Sequence, residues 1–300
     1  MLCGLRQSRH PTPRLRHRRH SALTSRKPTM IEPILLTATR VSTFDGDRVL
    51  TGASGFFFER DGRLFLVTSR HVVIDKPSKH FPNRIEIDLH TDAVNLTRSG
   101  VLSVMLYKDG KSLWRQGRDA GGEIDVAVIE LDRAALPASV LLRCFTPAHL
   151  QGSLDEVEVG SALLVVGFPL GFHDTLHHLP VVRQAVIASS FGVRFQGQGY
   201  FLTDARTHRG VSGAPVVMRS TASGLSLPWK LLGVHSSRMD METRDQLLDE
   251  SLGLNCAWYA DILMTLTADD ARVEGSETAN RPGVTGAPRS AGPQTPQSTS

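Results

Sequence analysis

Short apolar runs recur along the chain from about residue 34 onward, separated by clusters of glycine, aspartate, asparagine, proline and serine. After a beginning near Ile34, a first set comprises Gly55–Phe58, Leu64–Ser69, Arg84–His90, Val101–Tyr107, Val126–Leu131 and Ser161–Gly167. A second set comprises Val181–Ser189, Tyr200–Asp204, Ala214–Met218 and Trp229–His235. Many short strands with turn signals between them are typical of all-β barrels and sandwiches.

The last apolar segment has the spacing of a helix rather than of a strand. After Asn255, a candidate helix cap, apolar residues such as Ile262 and Leu266 recur at helical intervals and predict a helix over about 256–266. Beyond it the composition changes to small, polar and charged residues with proline, which predicts a disordered tail over 267–300. The apolar runs are far shorter than the roughly 18 residues that suggest a membrane span, so we expect no membrane contact.

Positive charge is concentrated at the start of the chain. The first 29 residues hold eight Lys and Arg and no Asp or Glu, so the net charge of +4 becomes −4 for the remainder. This pattern predicts a disordered basic leader over 1–30 and gives no reason to expect a nucleic-acid partner for the body. The leader lacks the apolar stretch of about 7 to 15 residues of a secretory signal, so we expect a cytoplasmic protein.

Cysteine usage disfavours a secreted, disulfide-stapled protein. The sequence holds three cysteines, Cys3, Cys144 and Cys256, and the last two sit in apolar surroundings typical of buried thiols. No Cys and His spacing of a metal site is present, so we expect no metal.

Three local patterns offer the groups that acyl transfer at a serine needs. A serine hydroxyl is a weak nucleophile at neutral pH, so it requires an imidazole base, a carboxylate that orients the base, and donors for the oxyanion. In Leu66–Val73 an apolar strand ends in small polar residues, and His71 lies at its end. In Ile124–Leu131 the aspartate Asp125 stands at the start of a buried strand.

The third pattern is a serine flanked by glycines, Gly-Val-Ser-Gly-Ala-Pro, in which Ser212 lies between Gly210 and Gly213. The glycines allow the backbone to turn tightly around the serine and to take dihedral angles that other residues rarely adopt. In such a turn the amides of Gly210 and Ser212 can point at one oxygen. The sequence therefore predicts Ser212 as nucleophile, His71 as base, Asp125 as the orienting carboxylate, and a backbone oxyanion hole.

Taken in the order His, Asp, Ser, the three patterns resemble the trypsin/chymotrypsin-like serine peptidase superfamily, especially its bacterial branch without disulfides. The resemblance covers roughly residues 37–266. The approach to His71 is similar to the family's Thr-Ala-x-His, and Asp125–Val128 matches its Asp-Ile/Val-Ala-Val strand. Residues 210–215 are similar to Gly-x-Ser-Gly-Gly-Pro, with alanine for the last glycine. Gly167–Pro169 is similar to the Gly-Tyr/Phe-Pro that opens the second barrel.

The resemblance implies a serine endopeptidase with two packed six-stranded antiparallel β-barrels, a short C-terminal helix and an active site in the cleft between the barrels. The peptidase domain would span 31–266, with barrel 1 over about 31–150, barrel 2 over about 158–255 and the helix over about 256–266. It implies protein or peptide substrates and no cofactor. The oligomeric state is not indicated by the sequence.

A substrate pocket is implied by the strand Leu231–Ser237, which resembles the strand that walls the primary specificity pocket in the family. Its Gly-Val-His is similar to the Gly-Ile-His of glutamate-specific bacterial proteases and of viral proteases that cut after glutamine, and Thr207 stands five residues before the nucleophile as in those enzymes. Thr207, His235 and Ser236 would then line a pocket for a carboxylate or carboxamide. The alternative is a His235 hydrogen-bonded inside the barrel beside a pocket for small apolar residues.

Other assignments fit the sequence less well. His80 and His90 are alternative bases, but neither follows an apolar strand through Thr-Ser-Arg. An α/β-hydrolase needs glycine two residues after the serine, where Ala214 stands, and a different order of triad residues. The alternative of another class is a catalytically silent trypsin-like fold that serves as a protein-binding module, for which a damaged triad or oxyanion loop would be expected.

Overall fold

The computed structural model describes residues 31–221, 227–240 and 251–269. Within these ranges the chain forms fifteen β-strands, two short α-helices and several 3₁₀ turns. The strands of the first half are β1 (Ala38–Asp45), β2 (Arg48–Arg60), β3 (Arg63–Thr68), β4 (Arg84–His90), β5 (Ser99–Met105), β6 (Tyr107–Lys108), β7 (Lys111–Ser112), β8 (Trp114–Asp119) and β9 (Gly122–Leu131).

The strands of the second half are β10 (Ala162–Gly167), β11 (Val181–Val186), β12 (Tyr200–Thr203), β13 (Pro215–Arg219), β14 (Trp229–Asp240) and β15 (Ser251–Tyr259). The α-helices are α1 (Arg70–Val73) and α2 (Ile262–Leu266). The 3₁₀ turns are Pro33–Leu36, Arg133–Ala135, Pro147–His149, Leu154–Glu156, Pro169–Gly171 and Phe195–Gly197. The prediction of a mostly β fold is confirmed.

The strands form two large antiparallel sheets. The first contains seven strands in the order β5-β4-β1-β2-β3-β9-β8, and the second contains six in the order β11-β10-β13-β14-β15-β12. Strands β6 and β7 pair separately as a small hairpin. In the second sheet a bridge between Ile187, just after β11, and Thr203 of β12 joins the two outermost strands. The sheet therefore curls until its two edges meet.

Alternate residues of the central strands face different hydrophobic cores. In β3, Leu64 and Leu66 pack in a core within the first sheet, whereas Phe65 and Val67 pack in a core shared with the second sheet. Successive side chains of a strand point to opposite faces, so a strand that is buried on both faces reads as a continuous apolar run. The second sheet repeats this arrangement around a third core that includes Leu232.

The predicted helix over 256–266 is wrong in its first half. Strand β15 continues to Tyr259 and pairs with β12, where Cys256 lies opposite Leu202, and with β14. The helix begins only at Ile262, and Asn255 lies within the strand instead of capping a helix. Burial on both faces of β15 places apolar residues at spacings that also fit a helix.

The predicted leader over 1–30 lies outside the described residues, as does the predicted tail from residue 270 onward. Residues 267–269, which the prediction assigned to the tail, are described and follow α2 directly. In the ranges that the structure describes, no helix has the length and apolar character needed to cross a membrane.

Candidate active site

His71 lies in the first turn of the short helix α1, directly after strand β3, and not at the end of the strand itself. The two residues before the helix are fully buried and fix the turn. Thr68 Oγ1 donates to the carbonyl of Ser54 at 2.8 Å, and Ser69 Oγ donates to the carbonyl of His235 at 3.1 Å. The hydrogen bond of Thr68 lies within the first sheet, and that of Ser69 attaches the first sheet to the second.

Asp125 lies in β9, which pairs with β3, so its carboxylate comes beside the helix that carries His71. Oδ1 accepts a hydrogen bond from the backbone amide of His71 at 2.8 Å, and Oδ2 lies 2.7 Å from Nδ1 of the same residue. Ser236 Oγ also donates to Oδ2. The carboxylate thus holds both the backbone and the ring of His71, and it fixes the ring with Nδ1 as the donor.

The environment of His71 raises the pKa of its imidazole above the usual value. Burial disfavours the charged ring and lowers the pKa, but the hydrogen bond to Asp125 and the negative charge of that carboxylate outweigh it. A stabilised imidazolium is the state that a base reaches after it has accepted a proton.

Ser212 lies in the turn between β12 and β13, half-buried, and lines the same two cavities as His71. Its hydroxyl donates to the carbonyl of Ser236 at 2.9 Å, and in the described part of the chain no hydrogen bond joins it to His71. Catalytic hydrogen bonds are often loose or misaligned in proteins without substrate and tighten in the complex.

The backbone around Ser212 is held by hydrogen bonds that the carbonyl groups of Arg209, Gly210 and Ser212 accept. Leu170 N donates to the Arg209 carbonyl at 2.5 Å, Ser54 Oγ donates to the Gly210 carbonyl at 2.8 Å, and Ser54 N donates to the Ser212 carbonyl at 2.9 Å. The hydroxyl of Ser54 also accepts from Phe168 N at 3.0 Å. Ser54 therefore joins the turn that carries Ser212 to the Gly-Phe-Pro segment.

The amides of Gly210 and Ser212 donate to none of the described residues. In a trans peptide the C=O and N–H groups point in opposite directions, so the contact between the Arg209 carbonyl and Leu170 turns the Gly210 amide away from Leu170. Gly210 has a φ of +92°, and a Cβ built on it would lie 2.6 Å from the carbonyl oxygen of Phe168. Only glycine fits this conformation and this contact without strain.

The residues predicted for the substrate pocket do come together. Thr207, His235 and Ser236 line a cavity of about 290 Å³ whose other lining residues are His71, His208, Arg209, Ser212 and Ser237. Thr207 Oγ1 donates to the side chain of Asn255 at 2.6 Å, and Asn255 in turn donates to the carbonyl of Ala205. The amide of Asn255 thus fixes the hydroxyl of Thr207 at the pocket wall.

His235 is 2% exposed, and its Nδ1 has no hydrogen-bond partner among the described residues. Burial lowers the pKa of its imidazole to about 4, and the nearby His71 adds to this shift. The ring is therefore neutral at physiological pH. A buried ring nitrogen without a partner is unusual in a folded protein.

The alternative bases are engaged elsewhere. His80 Nε2 contacts the carbonyl of Val72 at 3.0 Å, and His90 Nε2 contacts that of His177 at 2.6 Å. Neither contacts Asp125. Among the described residues no group of three or more His, Cys, Asp or Glu side chains is placed to hold a metal ion.

Sequence reasoning missed three residues that shape this region: Ser54, Leu170 and Asn255. Ser54 and Asn255 are buried polar residues within strands, and a small polar residue inside an apolar strand is the signal that marks a non-local partner. Leu170 takes a φ of +53°, which nothing in its residue type indicates.

Comparison with known proteins gives one family and a set of distant structures. The model of the trypsin-like peptidase domain family matches residues 53–222. The HtrA-type protease AlgW, solved with a tripeptide, is 18% identical with a TM-score of 0.47, and the match covers 77% of this chain and 59% of that one. A serine endoprotease from Yersinia pestis is 16% identical with a TM-score of 0.45, and the match covers 77% of this chain and 61% of that one.

The chain thus spans about three fifths of the length of these two solved structures. The search of curated proteins found no match. The family match covers more than half of the 300 residues, including the segments around His71, Asp125 and Ser212. This chain belongs to the trypsin-like peptidase domain family.

Proposed function

We propose that this protein is a serine endopeptidase in which Ser212 is the nucleophile, His71 the general base and Asp125 the carboxylate that orients the base. One observation carries the proposal: His71 Nδ1 lies 2.7 Å from Asp125 Oδ2, while His71 and Ser212 border the same two cavities. A carboxylate on one ring nitrogen leaves the other nitrogen free to accept a proton from a serine hydroxyl.

The reaction begins when the Ser212 hydroxyl turns from the carbonyl of Ser236 toward Nε2 of His71. Its oxygen attacks the carbonyl carbon of the scissile bond while Nε2 takes its proton. The imidazolium then protonates the leaving amine, and the acyl group stays on Ser212 until water, deprotonated by His71, releases it. Asp125 supports the positive charge on the ring throughout, in keeping with the raised pKa of His71.

The oxyanion formed in each attack would be bound by the backbone amides of Gly210 and Ser212. Both amides are uncommitted among the described residues, and the three carbonyls that flank them are held by Leu170 and Ser54. Donors that are oriented before the reaction avoid the cost of reorganisation when charge develops. This arrangement supports an oxyanion hole that is already formed before substrate binds.

We further propose that the two large sheets are the two packed β-barrels of the family, with the site between them, although the first sheet has seven strands where six were predicted. The pairing of Ile187 with Thr203 supports closure of the second sheet. The hydrogen bond from Ser69 to His235 and those from Ser54 to the nucleophile turn cross between the sheets. Both sets lie next to the proposed triad, as expected for a cleft formed by two barrels.

The pocket lined by Thr207, His235 and Ser236 is proposed to bind the side chain of the residue that precedes the cleaved bond. Its lining is polar throughout, which favours a carboxamide or carboxylate over a small apolar side chain. The hydroxyls of Ser236 and Thr207 donate to Asp125 and Asn255, so toward substrate the Thr207 oxygen can only accept a hydrogen bond. A carboxamide N–H can donate to that oxygen and a carboxylate cannot. Because His235 is also neutral, a carboxamide suits the pocket better than a carboxylate at neutral pH.

Hydrolysis of internally quenched peptides tests this function. The library should vary the residue before the cleaved bond over glutamine, glutamate, alanine and valine. We expect cleavage after glutamine by the wild type, none by Ser212→Ala, and wild-type rates for Ser99→Ala, a serine on an exposed part of β5. Equal rates for Ser212→Ala and the wild type, or no cleavage of any peptide or of casein by the wild type, would refute a peptidase and leave a binding module.

A further inference from the structure

A second and larger cavity also borders His71 and Ser212 of the proposed active site. It has a volume of about 490 Å³ and is bordered by the start of β2 (residues 48–53), the turn over 75–80 and the residues Arg209, Gly210 and Ser212. The cavity shares His71, Arg209 and Ser212 with the pocket of His235. The two cavities therefore adjoin at these three residues, and we call them together the groove.

A peptide attacked at Ser212 must extend in both directions from that residue. Its acyl part would occupy the pocket of His235, as proposed above, so the part that leaves as the amine would lie in the larger cavity. The assignment of this cavity to the leaving part of the substrate rests on the proposed function.

The larger cavity is lined by three cations and one carboxylate. Arg48, Lys79 and Arg209 face it from three different segments, and Asp75 is the one Asp or Glu among the described residues that line it. The hydroxyl of Ser78 donates to that carboxylate. Formal charge in the groove is thus +2 when His71 and His80 are neutral.

Several cations of the described residues, such as Lys108 and Arg183, form no ion pair, and what sets these three apart is that they border one cavity. Arg40, Arg63, Arg84, Arg115 and Arg133 each form an ion pair with Asp or Glu. For Arg48, Lys79 and Arg209 the described residues supply no ion pair. Their charges are gathered at one groove although the chain after residue 29 has a net charge of −4. An anionic ligand is what such a set of unpaired cations attracts.

We propose that the groove selects peptides with acidic side chains in the first residues after the cleaved bond. Arg209 directly precedes Gly210 of the nucleophile turn, which places it nearest the bond that is cut. Arg48 and Lys79 lie on the other walls and would meet carboxylates further along the chain. Val49, which is 63% accessible, borders the same cavity and offers an apolar surface for the methylene groups of such a side chain.

The expected preference is moderate because the cations are exposed to solvent. Exposed ion pairs typically gain less than about 1 kcal/mol, which corresponds to about fivefold or less in kcat/KM per pair. Three such pairs, each contributing about twofold, give a preference of about tenfold. Screening by salt shortens the range of the interaction from about 10 Å at 0.1 M to about 3 Å at 1 M, so the preference must fall as salt is added.

The test uses two quenched peptides that are identical up to the cleaved bond and carry Glu or Lys at the three following positions. We expect the wild type to cleave the Glu peptide about tenfold faster in kcat/KM. The ratio should approach one in the triple variant Arg48→Gln/Lys79→Gln/Arg209→Gln and in high salt. The matched control Lys111→Gln removes an exposed cation from the separate hairpin β6-β7 and should keep the ratio.

Equal cleavage of the two peptides by the wild type, or an unchanged ratio in the triple variant, would overturn the proposal while leaving the peptidase function intact. If neither peptide is cleaved, the proposed function fails instead. In that case the affinity of the same two peptides for Ser212→Ala protein, measured by fluorescence anisotropy with dye-labelled peptides, tests the charge preference independently of cleavage. Tighter binding of the Glu peptide, lost in the triple variant, supports the groove, and equal binding overturns it.

Discussion

Replacement of Gly210 by alanine should separate oxyanion binding from substrate binding. Gly210 has a φ of +92°, and an added Cβ would lie 2.6 Å from the Phe168 carbonyl oxygen and 3.0 Å from Leu170 N. Since carbon and oxygen approach to about 3.3 Å at closest, the turn must move by about 0.7 Å. Both clashing atoms belong to the backbone, so a side-chain rotation cannot relieve the contact.

The movement displaces the Gly210 amide, and the loss of one oxyanion donor typically lowers kcat about 100- to 1,000-fold. We expect kcat to fall by that amount with KM nearly unchanged, because the amide acts on charge that develops during the reaction. The left-handed conformation of a non-glycine residue adds a stability cost of about 1 to 2 kcal/mol. Steady-state kinetics on a quenched peptide and urea unfolding measure the two effects.

Gly110→Ala is the matched control for this substitution. Gly110 also has a positive φ, +75°, but nothing lies within 4 Å of its added Cβ, and it occupies the turn between β6 and β7. The control should show a similar backbone cost with unchanged kinetics. A Gly210→Ala protein that keeps kcat within threefold of the wild type would show that this amide does not bind the oxyanion.

Two further predictions concern the groups that support the nucleophile turn and the base. Ser54→Ala removes the hydrogen bond to the Gly210 carbonyl and leaves the Phe168 amide buried without a partner. We therefore expect the free energy of unfolding in urea to fall by about 1 to 3 kcal/mol, and kcat to fall by a larger factor than KM rises. An unchanged kcat would exclude a positioning role for Ser54. Because His71 must be neutral to act as base and its pKa is raised through Asp125, kcat/KM should rise with pH through a midpoint above about 6.5. In Asp125→Asn that midpoint should move to lower pH, and an unmoved midpoint would contradict the pairing. The raised pKa also stabilises the fold below about pH 6.5, and this contribution is lost as pH rises through the pKa of the folded state.

The strand positions could be predicted where a strand is buried on both faces. Continuous apolar runs such as Leu64–Ser69 therefore coincide with strands. The start of β2 at Arg48, seven residues before the predicted Gly55, and the more polar strand β8 were not predicted. The same property caused the error at Cys256–Tyr259, where residues packed against both neighbouring cores gave a helical spacing. Periodicity alone does not distinguish a strand that is buried on both faces from a buried helix.

The contact between His71 and Asp125 was expected from order and flanking residues, and the structure places them together across neighbouring strands. The hydrogen bonds that support the site could not be predicted from the sequence because they join segments that are far apart in the chain. Ser54 and Gly210 are 156 positions apart, and no local pattern links them. A buried hydroxyl finds its partner only once both sheets are assembled.

The central claim is that Ser212 is a nucleophile activated by His71. Labelling of the full chain with a fluorophosphonate probe, followed by mass spectrometry of the digested protein, tests it most directly. We predict one phosphonylated residue, Ser212, with labelling abolished in Ser212→Ala and strongly slowed in His71→Ala. Undiminished labelling of Ser212→Ala, or a label found on another serine, would contradict the account.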